Sequence, residues 1–191
     1  MSFMKNFTLF FLLASTISSY GQKQMFTIVS VNGQTFNTKN YKQKNNGLSF
    51  KEKDGDKTSI AYSEIDKIIS TGKKDRFNFT LKPIRFSEKK SVFMKEILTG
   101  KVSLYERSVT DFAASVNNNN STEIKYKNYY LKKIDHPIAE FIDGNITYLK
   151  FKNNIIHYFS DCDSLITKVK RNKGKLIKLE DIVVYYNEKC N

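Results

Sequence analysis

A chain of 191 residues that is 40% hydrophobic and 14% aromatic can bury a core as one domain, which excludes a disordered or low-complexity protein. Two cysteines are too few for a disulfide scaffold or a four-cysteine zinc site. The net charge of +13 would suit nucleic acid, yet only Arg76, Arg85, Arg107 and Arg171 are arginines, and nucleic-acid sites draw on the arginine fork. The lysine excess reads as compositional bias more than as a binding footprint, with a cell-surface polyanion as the alternative, and nucleic acid is not expected.

Residues 1–21 read as a secretory signal peptide. Lys5 supplies the positive start, Phe7-Thr-Leu-Phe-Phe-Leu-Leu-Ala14 a short apolar core, and Ser19-Tyr-Gly21 a small-x-small cleavage site. Cleavage after Gly21 leaves Gln22 first, and losing Lys5 brings the net charge from +13 to +12. The apolar run is too short for a permanent span of a bilayer core about 30 Å thick. No cysteine stands at the cleavage site, so a lipid anchor there is not expected. The mature chain divides into a β-rich part, 22–144, and a helical tail, 145–191, packed on it as one folded unit.

Met25 to Val31 and Gln34 to Lys39 flank Asn32-Gly33, a strong hairpin signal. Asn45-Asn-Gly47 makes a second break. Leu48-Ser-Phe50 then alternates into a turn at Asp54-Gly55-Asp56, with Thr58 to Tyr62 returning. Asp54 and Asp56 resemble the start of a calcium loop, but Thr58 and Ile60 fill the next ligand places, so a tight turn is expected. Ser63 to Asp66 is a polar step before a strand at Lys67 to Ser70, and Thr71 to Asp75 is a turn. Arg76 to Leu81 alternates as a strand whose far end Pro83 confines to an edge. Ser91 to Leu98 fits a helix through Phe93 and Ile97. It also fits a hairpin closed by Thr99-Gly100 against Lys101 to Tyr105, and the hairpin is favoured. Phe112 to Thr122, with Asn117 to Asn120, is expected to be a mobile loop. Glu123 to Leu131 is a strand with Tyr and Lys alternating, ended by Asp135-His-Pro137.

In the tail, Tyr148, Phe151, Ile155 and Phe159 share one face of a helix. Ser160 or Asp161 can cap a second helix from about Cys162 to Arg171, with Leu165, Ile166 and Val169 buried. Gly174 suits the left-handed conformation that ends helices. A last helix, about Lys178 to Asn187, buries Leu179, Ile182, Val183 and Tyr186. Two helices of similar length on a short loop pack antiparallel, which brings Cys162 beside Cys190 for a disulfide. Two free thiols are the alternative. No metal site is expected, because no other cysteine joins them and His136 and His157 lack ligand spacing.

Several stretches together resemble a group of uncharacterised exported proteins from Bacteroidetes: Gly33, Tyr62-Ser-Glu-Ile65, Leu98-Thr-Gly-Lys-Val-Ser-Leu-Tyr105, Tyr129-Tyr-Leu-Lys-Lys133, Tyr158-Phe-Ser-Asp-Cys162 and Tyr186-Asn-Glu-Lys-Cys190. The resemblance implies a β-rich domain closed by an Asp-Cys…Tyr-Asn…Cys helical tail. In some members a predicted outer-membrane β-barrel follows, and with the chain ending at Asn191 none is expected here. It implies a location in the periplasm, at the outer membrane or outside the cell, and no activity.

The fold class expected is therefore α+β, an antiparallel sheet or small open barrel followed by a helical hairpin. No Gly-x-Ser-x-Gly elbow, His-Glu-x-x-His pair or phosphate-cradling Gly-Lys-Ser/Thr loop is present, so no catalytic residue and no cofactor is expected. A binding or assembly module of the cell envelope leads. Lys168, Lys170, Arg171, Lys173, Lys175 and Lys178 form its candidate patch for an anionic lipid, a glycan or an acidic envelope protein. A carrier enclosing a small apolar ligand among Phe and Tyr side chains is the alternative, and an enzyme of unknown class the third.

Overall fold

Strand-forming residues at alternating positions build most of the chain. The computed structural model describes residues 24–44, 47–52, 55–114, 121–144, 146–172 and 178–190, without the side chains of 111–114 and 121–122. The signal segment, Asn117 to Asn120, Asp54 and Gly174 lie outside the described residues. Eleven strands form among them. They are β1 (Met25–Ser30), β2 (Thr35–Thr38), β3 (Tyr41–Lys44), β4 (Gly47–Lys51), β5 (Lys57–Ala61), β6 (Ile65–Thr71), β7 (Phe79–Ser87), β8 (Lys90–Leu98), β9 (Val102–Ala114), β10 (Ser121–Lys133) and β11 (Glu140–Asp143). Eight make one antiparallel sheet in the order β11-β10-β9-β8-β7-β6-β1-β2, and β3-β4-β5 make a second.

The register places one set of apolar residues on each face of the large sheet. Ile28 pairs Ile68, Ile68 pairs Leu81, and Pro83 beside Leu81 pairs Phe93. Leu98 pairs Leu104 after a bulge, and Leu104 pairs Leu131. With a side-chain period of two, these residues share one face. Leu48 and Phe50 of the small sheet cover its β1–β6 half, and the C-terminal helices cover its β8–β11 half. The opposite face carries Ile84, Met94, Tyr105 and Tyr130, a third buried cluster. In a flat sheet β7 and β10 would stand about 14 Å apart, three strand spacings. Here the Phe86 and Tyr130 rings lie 6.2 Å apart, and the Ala139 N–H donates to the Arg85 carbonyl at 2.8 Å. The sheet therefore curls around its third cluster into a partly closed barrel.

Three helices follow: α1 (Tyr148–Tyr158), α2 (Asp163–Arg171) and α3 (Leu179–Lys189). Thr147 caps α1 by accepting from the Lys150 N–H at 3.4 Å. Cys162 and Cys190 are joined in a disulfide with their Cα atoms 5.7 Å apart, tying the start of α2 to the end of α3. The Asn187 side chain pairs with both backbone groups of Val102, at 2.9 Å each, and fastens α3 to β9. A Cβ at Gly100 would run into the Asn187 side-chain amide and push it off Val102, so this close approach favours glycine.

Several expectations need correction. Neither Ser160 nor Asp161 caps α2, whose N-cap is Cys162 without a side-chain bond, because the Asp161 carboxylate is engaged elsewhere. Arg76 and Phe77 belong to a 3-10 turn, Asp75–Phe77, and the strand begins at Phe79. Strands β9 and β10 run to Ala114 and from Ser121, well into the stretch expected as a loop. Residues 91–98 are strand β8. Pro83 lies just beyond the residues of β7 that pair with β6, so its missing N–H costs no rung there.

Candidate functional site

The small sheet has two unlike faces. Tyr41, Leu48, Phe50 and Ile60 point to the core, and the next residue along each strand points outward. Lys42 pairs Ser49, Lys44 pairs Gly47 and Lys51 pairs Lys57, so four lysines share the outer face. Lys51 and Lys57 are directly opposed, an arrangement that repels unless an anion lies between them.

Beside this face runs a groove of about 740 Å³. The β2–β3 link forms one wall, with Lys39, Asn40, Lys42 and Lys44, and Lys51, Glu52 and Lys57 form the other. Ser49, Phe50, Tyr41 and Met25 line its base. Buried Thr38 holds the walls together, since its hydroxyl lies 2.8 Å from both the Asn40 and the Lys51 carbonyl oxygens. Tyr41 is braced edge-on by Phe26 at 5.0 Å. Burial pushes its phenol pKa up; the Gln43 hydrogen bond works against this and nearby Tyr62 adds to it, so Tyr41 meets a ligand as a neutral hydroxyl.

The groove is short of negative charge. Glu52 is the only carboxylate among its described lining residues, and it accepts from Thr58 Oγ1 at 2.7 Å. Among the described residues, none of Lys39, Lys42, Lys44, Lys51 and Lys57 is in an ion pair, whereas Lys82, Lys127 and Lys133 each hold a carboxylate within 2.8 Å. Five ammonium groups around one concavity, with no ion pair among the described residues, can hold carboxylates, sulfates or phosphates.

No family model, curated protein or solved structure matches the chain. The site is therefore read from its own residues.

The patch expected around the α2–α3 link is less well built. Lys168 lies over the Tyr185 ring at 4.4 Å, and the Lys170 carbonyl accepts from Lys152 Nζ at 3.2 Å. Arg171 and Lys178 are exposed at the ends of the link, and Lys173 and Lys175 lie outside the described residues. His136 and His157 are both exposed and far apart in the fold's order of elements, in a turn and on α1.

A second polar cluster went unnoticed in the sequence. Tyr186 donates to Asp161 Oδ2 at 2.7 Å, and Lys133 Nζ donates to the same oxygen at 2.7 Å. Partial burial works against the ionised Asp161, but the Lys133 and Tyr186 hydrogen bonds and the Lys133 charge outweigh it and hold its pKa below the usual value. Burial, then the Asp161 hydrogen bond and charge, push the Tyr186 phenol up to about 12. The Lys133 ammonium also lies 5.6 Å and 5.8 Å from the Tyr158 and Tyr186 ring centroids. The cluster joins β10, the α1–α2 link and α3 beside the disulfide, which makes it a clasp for the tail.

Proposed function

We propose that this chain is exported and serves in the cell envelope as a non-catalytic binding module that takes anionic groups into the β2–β5 groove. The observation that carries this is the set of five lysines around one concavity, none of them in an ion pair among the described residues. Export is supported by the leader-like 1–21 segment and by the Cys162–Cys190 disulfide, since such bonds persist outside the cytosol. Among the described residues no helix is long and apolar enough to cross a membrane. An anionic glycan is the favoured partner, because exposed Asn40 offers hydrogen bonds to sugar hydroxyls between the lysines. The apolar-carrier alternative is disfavoured by two features: the barrel interior is filled by Ile84, Met94 and Tyr105, and the groove rim is cationic.

The test is calorimetric titration of the full chain with a short acidic saccharide, trigalacturonate, at low and high salt. Binding is expected to weaken as salt rises. Lys42→Gln with Lys51→Gln and Lys57→Gln keeps a polar side chain at each position and removes three charges. At about 0.5–1 kcal/mol for each exposed charge contact, this should weaken binding by roughly ten- to a hundredfold. An affinity unchanged in the triple variant would refute the groove as the site.

A further inference from the structure

A second cleft of about 550 Å³ lies at the β7–β8 turn, lined by Tyr62, Phe86, Ser91, Lys89, Lys90 and Arg107. Its cations too have no ion-pair partner among the described residues. Arg107 is held over the Phe86 ring, its guanidinium carbon 5.3 Å from the centroid, which sets the fork in place at the cleft wall. Tyr62 connects this cleft to the lysine groove. Its hydroxyl donates to the carbonyl of Lys44, a groove residue, at 2.9 Å, and its ring lines the second cleft while packing edge-on against Phe93 at 5.2 Å. The two basic concavities are therefore neighbours across one aromatic side chain.

Taking the groove as an anion site, we infer that its occupant is a linear acidic polysaccharide long enough to cross Tyr62 and lie in both clefts. The cations do not converge on a point, as a lone phosphate would require. Lys42 and Lys44 project from one face of β3 at a two-residue step of about 6.7 Å. Lys51 and Lys57 stand side by side on adjacent strands at the other wall, and Lys89, Lys90 and Arg107 continue the positive surface beyond Tyr62. Such a row matches charge repeated along a polymer. Single-stranded nucleic acid is the other linear polyanion, and it needs successive free aromatic faces for its bases. Here Phe26 meets Tyr41, Phe36 meets Phe50 and Tyr62 meets Phe93, while Phe86 lies between Tyr130 and Arg107. The rings brace one another and leave lysines, amides and hydroxyls to meet the ligand, which suits sugar carboxylates and hydroxyls.

Oligogalacturonates of about three and about twelve residues, titrated against the full chain, separate the two clefts. The longer chain should bind about a hundredfold more tightly, well above the roughly tenfold that repeated binding registers alone supply. Lys89→Gln with Lys90→Gln and Arg107→Gln should bring the longer chain down to the purely statistical gain. The same variant should leave the short one unchanged, which also reports that the groove is still folded. Lys89→Gln with Lys90→Gln, which spares the Arg107 stack on Phe86, should give a smaller loss in the same direction. If the short chain binds but length adds only the statistical factor, or the second-cleft variants keep the full gain, the extended track is refuted and the groove stands. Should neither oligomer bind, both fall. Tighter binding of an oligothymidylate of equal charge would replace the polysaccharide with nucleic acid and overturn the inference.

Discussion

Tyr186 and Asp161 form a hydrogen bond whose energy depends on pH in two windows. The folded Asp161 pKa lies below its unfolded value of about 3.9, so its contribution is present above that pH and is lost as pH falls through the folded value. The Tyr186 pKa is raised to about 12, so the folded chain keeps that proton between about 10 and 12 while the unfolded chain releases it. Stability should then fall as pH rises through that window. Tyr186→Phe should remove one phenol titrating near 12 from the ultraviolet titration and flatten the alkaline loss. It should also cost about 1 kcal/mol at neutral pH in urea unfolding, the value of one hydrogen bond. A variant with the parent's alkaline profile would show that the bond does not form in solution. Asp161 also shows why single residues mislead in sequence: its place before a helix suggests a cap, and only the fold brings Lys133 from β10 and Tyr186 from α3 to its carboxylate.

At the scale of elements, the tail and the long β9–β10 ribbon behave differently. The disulfide closes a loop with a sequence separation of 28. In the chain-entropy model that is worth about 3.5 kcal/mol, so Cys162→Ser with Cys190→Ser should lower the unfolding free energy by about that amount. A loss under about 1 kcal/mol would mean that the clasp and the Asn187–Val102 bonds hold the tail without the disulfide. Other strands of the sheet pair with the ribbon at its base. Pairing to β8 covers Leu104 to Glu106 of β9, and pairing to β11 covers Tyr129 to Leu131 of β10. Beyond Arg107 and Asn128 the strand pairing among the described residues is that of β9 with β10. Two strands alone are marginal in water, so amides of 108–114 and 121–127 should exchange faster than those of 102–106 and 129–133. Uniform protection along both strands would contradict this. The helices, their buried stripes and the cysteine pairing were legible because a 3.6-residue period is local. Strand β11 was not, since Glu140–Asp143 is too short to show a period and exists because β10 offers it an edge.

For the whole molecule, the alternation of Met25 to Leu131 announced an antiparallel sheet or open barrel, and the large sheet curls as such. What no local pattern showed is that β3, β4 and β5 leave that sheet to form their own. Four of the groove's lysines are spread from Lys42 to Lys57, and only cross-strand register brings them to one face. The run from Lys168 to Lys178 is visible in sequence because its charges are adjacent there, although on α2 the adjacent Lys170 and Arg171 point about 100° apart around the axis. The most direct measurement of the central claim is backbone amide shift mapping of the isotope-labelled full chain during titration with trigalacturonate. The groove predicts that the largest, salt-sensitive shifts fall at Lys39 to Lys44 and Ser49 to Lys57. Shifts confined to the α2–α3 link, or none at millimolar ligand, would contradict it.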